Sequence, residues 1–362
     1  MRARQSVFVI LAVFLVVTTI LGSATVVDTR EIDSVRGKQV LDSQDFAVID
    51  SFVAEAVQRL VRSRDFTSIA QIRTLILSRR SNQAQYAKQF SQSAQKHISE
   101  GFEQAKTLSE DRPFKVTLNL LILIDGMQDP LLVDLAIGKL GEANQVLRYW
   151  AVRGVTSPVL GAGGTPDAQL VQRVATALKG LIDSSGPEIL ALVAQFAAKT
   201  NDASLLGQIA DTRIKRYADW TVKREHLDTT ILKLLCDRIT AASPGTQATA
   251  RRFAQLYSYA IQRYVKGENL LSSSSRLQLA SVMAETEDKC VSELLGRPQA
   301  DIRRAVERSD YSALLQEHDG LLGGGAGPGE LVSRLRFDYG RNQDGSVRTA
   351  PLALPEPPKP KP

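Results

Sequence analysis

The chain has 362 residues, of which 43% are hydrophobic and 23% charged, so its composition is that of a globular protein with a large core and not of a disordered chain. The formal net charge is +6, and removal of residues 1–24 with Arg2 and Arg4 leaves 43 basic against 39 acidic residues, or +4. So small a surplus argues against nucleic acid as a partner, and two cysteines are too few for a disulfide framework.

The N-terminus has the order of a secretory signal. Arg2 and Arg4 precede an apolar run over residues 7–21, and small residues follow up to Ala24. We expect cleavage after Ala24. The alternative is an uncleaved anchor, because the apolar stretch can be extended to about the 20 residues that span a bilayer. Either way the sequence predicts an exported protein, periplasmic or secreted, which the second alternative tethers to the membrane.

Helical periodicity dominates the first third of the body. Residues 25–44 are polar and mixed and are predicted to form a linker. Two helix faces then follow, marked by Phe46, Ile49, Val53, Ala56, Val57, Leu60 and Val61, and by Phe66, Ile69, Ile72 and Ile76. A thin apolar stripe over residues 82–108 predicts one long helix. The run FKVTLNLLILI after Pro113 is predicted to be a buried helix, since the chain has no second strand-like run to pair with it.

The stretch 129–155 carries the clearest motif. Asp129 before Pro130 predicts a helix start, and an apolar face with Leu132, Ala136 and Leu140 leads to Gly141, where a left-handed helix end is easiest. Asn144 is predicted to cap a second helix. These features indicate two antiparallel helices joined by a short turn.

This hairpin resembles a HEAT repeat, a helical pair of the α-solenoid families. The residues that carry the resemblance are Asp129, Pro130, Ala136, Leu140, Gly141, Asn144, Leu147, Arg148 and Ala151. The resemblance implies an all-α solenoid of stacked antiparallel hairpins over residues 45–319. It also implies a structural role for Asn144 and Arg148, in a polar ladder between neighbouring repeats.

The later part of the chain repeats the helix-start signal of the motif, a capping residue before proline, but not the rest of the motif. A capping or permissive residue precedes a proline at Thr165–Pro166, Gly186–Pro187 and Ser243–Pro244, and each pair is followed by an apolar helical pattern. Residues 320–362 read as a glycine-rich joint and a proline-rich, disordered tail. Docking of such a tail to an aromatic groove is the alternative to a solvated spacer.

Signals for catalysis are absent from the sequence. It contains no GxSxG, HExxH or GxxxxGK[ST] motif, and His97, His226 and His318 stand on separate segments without partners at metal-ligand spacing. We therefore predict a protein that is not an enzyme and that has no cofactor and no metal site. Cys236 and Cys290 fall on apolar helix positions and are interpreted as buried free thiols, with pairing in an oxidising compartment as the alternative.

A binding scaffold is the leading functional hypothesis, with an envelope or extracellular protein as the expected partner. The candidate partner surface is formed by Arg213, Arg216, Tyr217, Trp220, Lys223 and Arg224, which also suits an anionic polymer or membrane surface. The alternative is a secreted helical enzyme, such as a toroid-like polysaccharide lyase. That enzyme requires a cleft in which Tyr217 or His226 meets at least two basic residues.

Overall fold

The structure, a computed structural model, describes residues 27–161, 167–242, 245–325 and 327–358. Within these residues the chain is all-α, as predicted, and two isolated bridges are its only β-type pairing. The predicted signal or anchor over residues 1–24 lies outside the described part. No helix of that part is long and apolar enough to cross a membrane. The chain divides into two compact units at Leu120, within the helical domain predicted over residues 45–319.

The helices of the first unit lie where the apolar periodicity of the sequence predicts them, except for one additional helix near the start. Its elements are α1 (Arg30–Arg36), α2 (Ser43–Arg62), α3 (Phe66–Ser78), α4 (Ala84–Lys106) and the beginning of α5 (Arg112–Met127). Helix α1 lies where a linker over residues 25–44 was predicted. Ile32 and Val35 are buried on one face of this helix, and two apolar residues in a polar stretch are too few for a periodic pattern.

Helices α2 and α4 form the centre of the first unit. They pack against each other, and the thin apolar stripe of α4 is the buried face that its spacing predicts. A capping box between Asp42 and Asp45 fixes the start of α2. His97 of α4 is buried, and its two ring nitrogens contact the carboxylates of Asp50 and Glu100 at 3.1 and 2.9 Å. This histidine is thus held by local carboxylates.

The second unit begins at Leu121 and contains most of the helices. They are the end of α5, α6 (Val133–Ile137), α7 (Gln145–Leu160), α8 (Ala168–Lys179), α9 (Pro187–Lys199), α10 (Ala203–Ala218), α11 (Asp228–Thr240), α12 (Thr246–Lys266), α13 (Ser273–Thr286), α14 (Ser292–Leu295), α15 (Asp301–Glu307), α16 (Tyr311–Leu322) and α17 (Glu330–Leu335). A π-helical turn, Glu287–Val291, joins α13 to α14. Helix α9 begins at Pro187 as predicted, whereas Thr165–Pro166 and Ser243–Pro244 lie outside the described residues.

The predicted hairpin over residues 129–155 forms, with a shorter first helix than expected. Asp129 accepts a hydrogen bond from the N–H of Leu131 at 2.9 Å, but a 3-10 turn follows and α6 ends at Ile137. The predicted end at Gly141 is wrong, because Gly138 interrupts the helix and the next residues form tighter i→i+3 hydrogen bonds. Pro130 heads the 3-10 turn, and Leu132, Ala136, Leu140, Leu147 and Ala151 are all buried.

The two polar residues of the motif both hydrogen-bond to backbone groups. Asn144 caps α7 by accepting from the N–H groups of Val146 and Leu147. Arg148 donates to the carbonyl of Glu142 at 2.9 and 3.1 Å and to the carbonyl of Ser184 at 3.2 Å, which lies in a later turn. Arg148 therefore connects the turn at Glu142 with the turn at Ser184, which lies 36 positions after Arg148.

Over the described residues 320–325 and 327–358, several C-terminal side chains are buried, in contrast to the flexible joint and disordered tail predicted for residues 320–362. Helix α16 continues through Gly320 to Leu322, and Leu331, Tyr339 and Leu354 are buried within the second unit. The prediction rested on glycine and proline content, which measures local stiffness and helix propensity. Glycine and proline content takes no account of apolar side chains that a neighbouring helix can cover. Here the burial of Leu331, Tyr339 and Leu354 holds the segment against the helices.

Candidate functional site

Helix α12 carries buried polar side chains on one face, and these define the site. Gln255 and Gln262 are seven positions apart, so they lie on the same side of the helix, and both are buried. Buried amide groups are costly unless they are hydrogen-bonded. Both amides must therefore have hydrogen-bond partners within the protein.

Their partners are main-chain groups of the C-terminal segment Pro351–Glu356, which we call the strap. Gln255 forms a two-way pair with Leu352: its Oε1 accepts from the Leu352 N–H at 2.8 Å, and its Nε2 donates to the Leu352 carbonyl at 3.2 Å. Gln262 Nε2 donates to the same carbonyl at 3.1 Å, and its Oε1 accepts from the Leu354 N–H at 2.6 Å. Each amide thus presents a donor and an acceptor to an extended backbone, as a neighbouring β-strand does.

Two further side chains hold the end of the strap. Lys266 donates to the Leu354 carbonyl at 2.7 Å and forms an ion pair with Glu356 at 2.6 Å. The indole N–H of Trp220 donates to the Pro355 carbonyl at 3.0 Å. We call Gln255, Gln262, Lys266 and Trp220 the strap site.

Side-chain burial in the strap is concentrated at one residue. Leu354 is 1% exposed, whereas Leu352 is 44% exposed. Pro351 and Pro355 have no N–H group. Their lack of a donor does not weaken docking, because the N–H groups that the site binds are those of Leu352 and Leu354. The site therefore recognises the strap through hydrogen bonds to its main chain and through burial of one side chain, that of Leu354.

A hydrogen-bond chain through the buried side chains of Ser258 and His318 sets the orientation of the Gln262 amide. His318 Nδ1 lies 2.8 Å from Asp319 Oδ1, and His318 Nε2 lies 2.8 Å from Ser258 Oγ. A proton on Nδ1 is favoured by the carboxylate, so Nε2 accepts from the Ser258 hydroxyl. Ser258 Oγ then accepts from Gln262 Nε2 at 2.8 Å, which leaves Gln262 Oε1 facing the strap. Burial lowers the pKa of His318 despite the opposing hydrogen bond to Asp319, and this favours the neutral ring that the chain requires.

An open cavity of about 360 Å³ adjoins the strap. Its wall includes Gln262, Lys266 and His318 on one side and Ala350, Pro351 and Ala353 of the tail on the other. Ser258 is fully buried and is not part of this wall. The Ser258 hydroxyl is therefore not presented to the cavity, and the Ser258–His318–Asp319 chain holds the Gln262 amide in place.

A charged cluster with little or no exposure lies behind Trp220. Arg213 and Asp228 form a two-point ion pair at 2.6 and 2.7 Å, and the Tyr217 hydroxyl donates to Asp228 at 2.8 Å. Burial lowers the pKa of the Arg213 guanidinium, but the carboxylate of Asp228 more than offsets this and the net shift is upward. Burial, with the same carboxylate, raises the pKa of Tyr217 well above its ordinary value. The phenol is thus a fixed hydrogen-bond donor.

This cluster positions the loop that carries Trp220. The loop is bounded by two non-glycine residues in left-handed conformation, Trp220 and Arg224, with φ of 57° and 51°. Such backbone strain persists only where the surroundings hold it. Arg213 donates to the carbonyl of Lys223 at 3.4 Å, and the guanidinium of Arg263 lies 5.0 Å from the centre of the Trp220 ring. The indole is therefore held in place for the strap.

The predicted partner surface is only partly a surface. Arg213 and Tyr217 are fully buried, because they neutralise and hydrogen-bond to Asp228. Arg216 is half-buried and donates to the Asp183 carbonyl at 3.0 Å. Trp220 is half-buried at the strap, while Lys223 and Arg224 are exposed and Arg224 is paired with Glu188 at 2.6 Å. Of the six residues, Trp220 is the one that hydrogen-bonds to the strap.

The cleft required by the alternative enzyme does not form around Tyr217 or His226. Tyr217 does meet Arg213 and Arg263, at 6.0 Å from its ring centre in each case, but it is buried and its hydroxyl is engaged by Asp228. His226 is exposed and contacts Gln278 at 3.0 Å. Within the described residues, no group of three or more metal-binding side chains comes together.

The central residues of the site escaped the sequence reasoning. Gln255, Gln262 and Lys266 lie in a helix of mixed polar and apolar residues, and two glutamines at a spacing of seven are the signal that was available. That spacing identifies a polar line but not its partner. Comparison with other proteins adds nothing to it, since no family model, no curated protein and no solved structure matches the chain.

Proposed function

We propose that this chain is a non-catalytic helical scaffold that binds an extended segment of another protein at the strap site. One observation carries the proposal: Gln255 and Gln262 supply donor and acceptor pairs to the backbone of residues 352 and 354. Side-chain amides arranged in this way bind an extended peptide of suitable shape wherever it comes from. The chain's own strap is then the resident ligand.

The chemistry of the strap defines the partner. It places a leucine in a buried position, a proline after it, and an acidic residue where Lys266 can pair with it. The expected partner segment is therefore extended, with a leucine followed by proline and then by glutamate or aspartate. Proline lowers the conformational entropy that such a segment loses on binding.

The resident strap makes binding competitive. A tethered segment acts at an effective concentration that reaches the millimolar range for short flexible linkers, so a weak external peptide cannot displace it. A partner must offer further contacts beyond the strap site. We propose that the partner is an exported or envelope protein, consistent with the secretory pattern of residues 1–24.

The test uses the full-length chain with Leu354→Ala, which weakens the resident strap and leaves the strap-site side chains intact. A fluorescent peptide of residues 349–358 is added, and binding is followed by fluorescence anisotropy. We expect it to bind this variant at least about ten-fold more tightly than it binds the wild-type chain, because the wild-type site is occupied. A peptide with the same Leu354→Ala change is the matched control and should bind weakly.

The variant Leu354→Ala/Gln262→Ala separates the strap site from nonspecific binding. It should lose the peptide, because the acceptor for the Leu354 N–H is gone. Equal binding of the two peptides, or undiminished binding by the double variant, would refute a strap-site function. Failure of the peptide to bind a variant whose strap is shown to be undocked would refute it as well.

A further inference from the structure

Two cysteines that are far apart in the sequence meet in the core of the second unit. Cys236 lies in α11 and Cys290 in the π-helical turn Glu287–Val291, and these two elements pack against each other. Both side chains are buried. The Sγ of Cys236 lies 3.8 Å from the carbonyl oxygen of Cys290, so the two cysteines are in direct contact.

The proximity of the two cysteines also distinguishes them chemically. Interaction with Cys290 lowers the pKa of Cys236, whereas interaction with Cys236, together with burial, raises the pKa of Cys290. A thiolate is the nucleophile in thiol–disulfide exchange. Once it is ionised, either cysteine can attack a disulfide, and the neighbouring cysteine can then resolve the mixed disulfide.

The segment that holds Cys290 is not an ordinary helix. The π-helical turn interrupts the helical run between α13 and α14, and such turns occur often at functional positions. The carboxylate of Glu287 in this turn accepts from the N–H groups of Ile302 and Arg303, both at 2.8 Å, which ties the turn to the start of α15. The turn is thereby held against its neighbours with Cys290 facing α11.

We propose that Cys236 and Cys290 form a reversible intramolecular disulfide when the chain folds in the presence of a low-molecular-weight disulfide such as oxidised glutathione. The sequence argument against pairing was their separation of more than 50 residues, and the fold removes it by packing α11 on the π-helical turn. The proposal is independent of the strap site's function.

The exchange is balanced in two steps. The Cys236 thiolate attacks one sulfur of the oxidant, forms a mixed disulfide and releases one thiolate. The Cys290 thiolate then attacks Cys236 Sγ, which forms the Cys236–Cys290 bond and releases the second thiolate. The two cysteines lose two electrons and two protons, and the oxidant leaves as two molecules of reduced thiol.

The bond would close a loop that contains the whole of α12. Cys236 lies in α11, which packs on α12. Cys290 lies in the π-helical turn that follows α13, and α13 also packs on α12. A cross-link of this kind restricts the unfolded chain and stabilises the folded one. Oxidation should therefore raise the melting temperature of the second unit.

The experiment refolds the full-length chain from denaturant in defined mixtures of reduced and oxidised glutathione, because both sulfurs are buried in the folded state. Thiols are then trapped with N-ethylmaleimide in denaturant and counted by intact-protein mass spectrometry. Under reducing conditions two alkylations are expected; under oxidising conditions none is expected, together with a mass lower by about two hydrogens and a Cys236–Cys290 cross-linked peptide after digestion. The melting temperature of the oxidised form should be higher by roughly 5–10 °C.

The single variants Cys236→Ser and Cys290→Ser supply the controls. Each should take up one glutathione or stay reduced, and neither should gain the melting-temperature increase. Two free thiols in the wild-type chain after oxidative refolding would overturn the proposal. Glutathione on both cysteines, or a disulfide between two chains, would overturn it equally.

Discussion

The side-chain oxygen of Gln262 accepts a hydrogen bond from the main-chain N–H of Leu354 at 2.6 Å, although the two residues are 92 positions apart. The same amide donates to Ser258, which lies one helical turn earlier in α12. A single side chain therefore joins the C-terminal segment to the hydrogen-bond chain of Ser258, His318 and Asp319. The predictions that follow test how strongly each part of this arrangement holds the strap and the unit behind it.

Leu354→Ala should undock the strap, and Leu352→Ala should not. Leu354 is 1% exposed and Leu352 is 44% exposed, so the two changes remove the same atoms from very different surroundings. Truncation of a buried leucine costs about 2–5 kcal/mol, whereas an exposed position costs about 0.5 kcal/mol or less. Hydrogen–deuterium exchange should show faster exchange of strap amides in the first variant alone. Equal protection in both variants would mean that the leucine side chain does not anchor the strap.

The outcome at the strap also marks the limit of what the sequence could predict. Helix positions followed from apolar spacing, and Asp129 and Asn144 were identified as caps from local chemistry. The docking of residues 351–356 depends on a helix about 90 residues earlier in the chain, and no local pattern encodes that pairing. Burial of Arg213 was missed for the same reason, because its partner Asp228 follows a strained loop whose path only the folded chain defines.

Arg213→Ala should destabilise the second unit by about 3–5 kcal/mol, because it leaves the buried carboxylate of Asp228 without its guanidinium. The matched control is Arg252→Ala. Arg252 forms a similar two-point pair with Asp211, but that pair is partly exposed and is worth less than about 1 kcal/mol. Urea unfolding of the two variants measures both values. Similar losses for the two arginines would contradict the assignment of Arg213 to a buried cluster.

Stability should fall with decreasing pH through the titration of His318. Burial lowers the pKa of His318 in the folded protein, so the unfolded chain binds a proton first as the pH decreases. The stabilising contribution is complete above the ordinary histidine pKa of about 6.5 and is lost as the pH falls through the lower folded pKa, with a slope of up to about 1.4 kcal/mol per pH unit.

The variant His318→Gln isolates this contribution, since glutamine stays neutral and can still donate to Asp319 or accept from Ser258. The comparison matters because burial raises the pKa of Glu287, whose effect has the opposite sign. Urea unfolding at several values between pH 5 and 7.5 should give a larger decrease for the wild-type chain than for the variant. Parallel pH profiles would show that His318 does not control the hydrogen-bond chain.

Arg148→Ala should lower stability without affecting peptide binding at the strap site. Every hydrogen bond of the Arg148 side chain in the structure goes to a backbone carbonyl, of Glu142 or of Ser184, and none goes to the strap site. Loss of these charged donors should cost about 1–3 kcal/mol, and Arg148→Lys should recover only part of it because an ammonium cannot span both turns as a guanidinium fork does. Thermal unfolding, combined with the anisotropy assay in the Leu354→Ala background, separates the two properties. A variant of unchanged melting temperature that has lost the peptide would place Arg148 in a binding surface, contrary to the ladder role that its two carbonyl partners indicate.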